Sequence, residues 1–159
     1  MNNFALNNSE LGFNQDFSIE FWANRDAQAI NDAHIFSLDS STGDIHLYQN
    51  DNTDTLDLTI GVQFRSEISF FSNGNFVHYA VIVDRDVGLK ICKDGVCSAF
   101  DGLSTSGDDF ESGQRLRLCL NGPQTQNPMD VVLDSFGIWK RQLTEDEVAR
   151  LANNNNDLD

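Results

Sequence analysis

Short runs in which apolar and polar residues alternate, broken by Gly, Asn and Asp, recur along the chain, and alternation at period two is how a half-buried antiparallel strand reads. Phe17, Ile19 and Phe21 alternate with Ser18, Glu20 and Trp22. Leu56, Leu58, Ile60 and Val62 alternate with Asp57, Thr59, Gly61 and Gln63, and Leu116, Leu118 and Leu120 with Arg115, Arg117 and Cys119. Each pattern predicts a strand with one wet face. The run from Phe76 to Val83 is apolar on both parities instead, as a strand covered on both faces would be, so it should be central. Further strands are expected near 33–38, 44–49, 65–71, 87–93, 96–100 and 131–140. That is more than one flat sheet of this length holds without splitting or closing, so two packed sheets follow.

Asp94-Gly95 lies between Lys93 and Val96 and is a strong hairpin signal, because a type I′ turn needs positive φ at both central positions. The resulting register puts Leu89 opposite Phe100 and Cys92 opposite Cys97. The chain ends in a predicted helix. Thr144 and Glu147 form a capping box, Leu143 staples onto Val148, and Val148 with Leu151 docks the helix on the sandwich. The asparagines 153 to 156 stop it.

A length of 159 residues suits one domain, 1–159, with one core, and 12 Phe supply much of its bulk. Twenty-five acidic residues against ten basic ones give a net charge of −15. Such a surface repels phosphate backbones and anionic headgroups, which excludes nucleic acid and membrane as partners. No apolar stretch approaches the roughly 18 residues a spanning helix needs. Met1-Asn2-Asn3-Phe4 lacks the basic start of a signal peptide, so the expectation is a soluble chain that, if exported, leaves by another route or is an excised domain.

Three segments resemble the laminin-G-like, concanavalin-A-type jelly rolls, pentraxin-like modules among them. Asp16 to Ala23 (DFSIEFWA) is similar to the family's first long strand. Phe76 to Asp84 running into Val87 to Gly95 is similar to its W-H-V-A…L-Y-V-N-G hairpin, with Phe76 where Trp is common. Leu133 to Trp139 followed by Leu143 to Val148 is similar to its closing strand and helix start. The resemblance implies an all-β fold, a two-sheet antiparallel jelly-roll β-sandwich with one short C-terminal helix. It further implies a binding module for glycans, peptides or surface proteins, often with calcium at a rim, although some glycoside hydrolases share the fold.

A hydrolase of this kind needs two carboxylates about 5–5.5 Å apart. The family's E-x-D-x-x-E pattern is absent, Glu145 and Glu147 belong to the helix start, and Glu10, Glu20, Glu67 and Glu111 are scattered. The chain therefore reads as no enzyme, with glycoside hydrolysis kept as an alternative. Asp39, Asp44, Asp51 and Asp54 crowd two loops rich in oxygen ligands and are the candidate calcium ligands, against the plainer reading that Asp and Asn cap turns. In pentraxin-like relatives acidic ligands also precede the closing strand; here 121–128 holds no carboxylate. His34, His46 and His78 stand singly in separate strands and read as packed or hydrogen-bonded, not as zinc ligands. Cys92 and Cys97 could bridge across the hairpin, Cys119 is left over, and the compartment stays undecided. His46, Tyr48 and Asp57, with Trp22, are the candidate ligand-binding residues, an aromatic platform with hydrogen-bonding neighbours that could hold a sugar ring. An ordinary solvated sheet face is the alternative. The expected function is a non-catalytic recognition or adhesion module binding a glycan or partner protein, in an extracellular, cell-surface or virion setting. The alternative is a structural virion protein whose partners are capsid or tail proteins.

Overall fold

A computed structural model describes residues 11–24, 33–38, 44–50, 55–60, 63–69, 74–110, 116–118 and 131–153. These form ten strands: β1 (Phe17–Asn24), β2 (Ala33–Leu38), β3 (Ile45–Asn50), β4 (Thr55–Ile60), β5 (Gln63–Ser69), β6 (Val77–Asp84), β7 (Gly88–Lys93), β8 (Val96–Cys97), β9 (Leu116–Leu118) and β10 (Val132–Trp139). They make two five-stranded antiparallel sheets, ordered β10-β1-β6-β7-β8 and β5-β4-β3-β2-β9. A helix, α1 (Glu145–Asn153), closes the chain and rests on β6 and β8 of the first, helix-bearing sheet. The fold is thus the expected two-sheet jelly roll.

β6 lies in the middle of its sheet and is buried from Val77 to Val83, as its double apolar parity requires. Tyr79, Val81 and Val83 face the main core with Phe17, Ile19 and Phe21 of β1 and with Ile45, Leu47, Leu56 and Leu58 of the opposite sheet. Ala80 and Ile82 face outward into a second cluster with Cys92, Leu143 and Val148. Two apolar clusters therefore replace the single expected core, because α1 and its lead-in cover the outer side of the sheet.

That cover also corrects the wet face expected of β1, since Ser18 and Glu20 are both buried. Ser18 Oγ accepts from Leu143 N–H at 2.9 Å and donates to the Arg141 carbonyl at 3.1 Å, tying β1 to the segment that leads into the helix. The expected wet face of β4 is likewise closed at Asp57. β9 is the outermost strand of its sheet, so Leu116 is buried while Leu118 is exposed.

Asp94 and Gly95 take φ of 48° and 82°, the pair a type I′ turn demands, and Cys92 opposite Cys97 is bridged. The register holds one residue further, with Ser98 N–H donating to the Ile91 carbonyl at 2.9 Å. It then slips. Asp101 N–H donates to the Leu89 carbonyl at 2.9 Å, so Leu89 faces Asp101 and not Phe100. The slip is pinned by the Asp101 carboxylate, which accepts from Leu89 and Leu103 N–H.

Candidate functional site

Three neighbouring strands of the opposite sheet, β2, β3 and β4, set His34 beside Tyr48 and Tyr48 beside Asp57. Period two puts His46 on the same outer face as Tyr48, while Ile45 and Leu47 turn into the core. The rings meet. His34 stacks on Tyr48 with centroids 5.4 Å apart at 26°, and meets His46 edge-on at 5.0 Å and 72°. Asp57 is buried beside them, its two oxygens accepting from Asn50 Nδ2 at 2.9 Å and Thr55 Oγ1 at 2.6 Å. Burial pushes the His46 imidazole below its ordinary range, and the nearby Asp44 opposes this in part. The face can therefore offer π surfaces, a neutral imidazole able to donate and accept, and a carboxylate fixed in place. Those are the groups that hold a sugar ring or a peptide amide.

Trp22 is not part of it. β1 belongs to the other sheet, and Trp22 points to that sheet's outer side, half-buried, with its ring 5.4 Å from His78. The four expected ligand residues thus divide between two opposite faces. His34 joins His46 and Tyr48 although it reads as isolated in sequence, because only the β2–β3 pairing reveals the contact. Sequence also misses Glu20 with His78, a buried pair with Oε2 to Nε2 at 3.2 Å. Glu20 Oε1 rests over Gly137, where a Cβ would collide with it. Trp139 Nε1 approaches the same point, and the strand glycine was the available signal.

Of the candidate calcium ligands, Asp44 is half-buried near His46, while Asp39, Asp51 and Asp54 lie outside the described residues, as does the segment 121–128. No group of three His, Cys, Asp or Glu gathers among the described residues, so Asp44 by itself does not make a calcium site. The fold does bring two carboxylates together at Asp16 and Asp84. Gln142 Nε2 bridges them, 3.0 Å from Asp16 Oδ2 and 2.8 Å from Asp84 Oδ2. Their other oxygens accept from backbone N–H groups of Arg85, Asp86 and Val87. Every oxygen of the pair accepts a hydrogen bond at the β6–β7 turn or from Gln142. Cys119 also lies outside the described residues.

The family model described as the Concanavalin A-like lectin/glucanases superfamily matches residues 2–149, and the chain belongs to that family. A search of curated protein sequences finds no match. Among solved structures, the heptameric SAP-like pentraxin from Limulus polyphemus aligns with a TM-score of 0.68 at 15% identity, over 89% of this chain and 71% of the pentraxin. Trypanosoma rangeli sialidase aligns at 0.69 and 15% identity, over 89% of this chain but 23% of the sialidase. The binding domain of botulinum neurotoxin serotype D/C aligns at 0.64 and 13% identity, over 89% of this chain and 37% of that one. Identities this low establish a shared fold, found both in binding domains and within an enzyme chain. No helix among the described residues is long and apolar enough to cross a membrane.

Proposed function

We propose that this chain is a non-catalytic recognition module that binds a glycan or a partner protein at an extracellular, cell or virion surface. Its ligand rests on the outer face of β2, β3 and β4. The observation that carries this reading is the ring cluster of His34, His46 and Tyr48 beside the anchored Asp57. Asn50 and Thr55 hold the Asp57 carboxylate in one orientation beside the three rings, which preorganises the face for a ligand. The shared fold of a pentraxin and a neurotoxin binding domain is consistent with a binding module. A glycan array followed by calorimetry tests the reading. Binding should weaken by roughly tenfold or more when Tyr48→Ala removes the stacking ring. Unchanged affinity in Tyr48→Ala and His46→Ala would overturn the assignment of this face.

A further inference from the structure

The outer face of the helix-bearing sheet lies on the opposite side of the sandwich from the ring cluster. α1 packs on β6 and β8, and the outer side of β10 and β1 lies next to it. The register builds rows there: Val132 beside Asn24, Asp134 beside Trp22 and His78, Gly137 beside Glu20 and Ala80. Phe76, the residue before β6, is 41% exposed and Val132 59%, Asp134 is exposed, and Trp22 beside it is half-buried. Four buried polar atoms on this face have no partner: Asn24 Oδ1, Glu20 Oε1, His78 Nδ1 and Trp139 Nε1. Asn24 Oδ1 accepts nothing, while its Nδ2 donates to the Gly74 carbonyl at 2.9 Å. Glu20 is 1% exposed, its Oε1 also accepts nothing, and its Oε2 leans out of its own row toward His78 beside Trp22. Trp139 Nε1, an unpartnered donor, sits at the Gly137 end. The Trp22 end therefore presents the exposed Asp134 carboxylate and the π faces of Trp22 and Phe76, and its rows contain neither Lys nor Arg.

We infer that this end of the face binds an arginine side chain presented by a partner protein. A guanidinium is flat, stacks on indole and phenyl faces, and brings only donors, which matches aromatic faces beside the exposed Asp134 carboxylate. A neutral sugar would also stack on Trp22, but its hydroxyls need donors as well as acceptors. The net charge of −15 adds long-range attraction for a basic partner.

The two tryptophans give two indole N–H signals in a 1H–15N spectrum, which makes the site directly readable. N-acetyl-arginine methylamide, its uncharged citrulline counterpart and cellohexaose are titrated separately at matched ionic strength. The arginine compound should shift the Trp22 indole saturably and the citrulline compound should not. Asp134→Asn and Phe76→Ala alter exposed side chains, so both variants keep the fold, and each should weaken the arginine titration roughly threefold. Equal responses to arginine and citrulline, titrations unaltered in both variants, or no Trp22 shift would overturn the site. A Trp22 shift with cellohexaose alone would overturn the ligand class. Shifts confined to His46 and Tyr48 would support the opposite face and count against this one.

Discussion

A histidine whose pKa is lowered by burial stays neutral where an ordinary one begins to charge, and His46 is such a residue. The sign of its effect on stability follows. The folded state disfavours the imidazolium, so His46 stabilises the fold fully above its ordinary value of 6.5, and that contribution is lost as pH falls below it. His46→Asn should therefore flatten the pH dependence of the melting temperature just below 6.5, and a parent and variant with parallel curves would refute this. Gly95 is constrained twice over. Its φ of 82° is costly for any residue with a Cβ, and such a Cβ would stand 3.0 Å from Ala149 Cα of the helix. Gly95→Val should destabilise by about 1–3 kcal/mol, read as a fall in denaturation midpoint. An unchanged midpoint would mean that the turn tolerates a rebuilt backbone.

At the scale of elements, α1 depends on one cap. Thr144 Oγ1 accepts from Glu147 N–H at 3.2 Å, Glu147 Oε2 accepts from Thr144 N–H at 2.9 Å, and Arg141 grips the same carboxylate at 2.8 and 2.7 Å. Removing the hydroxyl in Thr144→Ala should cost about 0.5–2 kcal/mol. The Arg141 guanidinium and the Thr144 amide hold the Glu147 carboxyl down at about 2, from an ordinary 4.5. A depressed carboxyl stabilises above its unfolded value and loses that contribution as pH falls through the folded one. Acid loosening of α1 should thus develop between about 4.5 and about 2, and Glu147→Gln should remove this component from an acid titration followed by circular dichroism. The Thr144–Glu147 part of this cap was legible because its partners lie three residues apart, and the strands were legible because period two is local. The covering of Ser18 was not, since Arg141 and Leu143 lie 123 and 125 residues away in sequence, nor was that of Glu20, whose partner His78 lies 58 residues away. The candidate site fared the same way. Tyr48 and Asp57 could be placed on one face from alternation, whereas His34 joined them, and Trp22 left them, only once strand order was known.

For the whole molecule the governing quantity is the net charge of −15, which must be accommodated by a fold with few basic residues to offset it. Where Lys and Arg are buried they are spent on structure. Lys90 Nζ reaches Glu145 at 2.8 Å across to the helix, and Arg85 lies over Phe110 while its Nη2 donates to the Asp108 carbonyl. We propose that calcium offsets part of the remaining charge through Asp39, Asp44, Asp51 and Asp54. If the ion binds the folded state alone, mass action requires the melting temperature to rise with its concentration. General screening also stabilises a strongly acidic protein, but it does so for magnesium and calcium alike and in part for monovalent salt. A bound calcium is distinguished by its tolerance of irregular, many-oxygen shells that the smaller magnesium ion rejects. The expected outcome is a rise in melting temperature with calcium that magnesium at matched ionic strength does not reproduce and that Asp44→Asn or Asp51→Asn diminishes. Identical responses to the two ions would reduce these aspartates to turn caps, and the acidic surface would then act only through its long-range field.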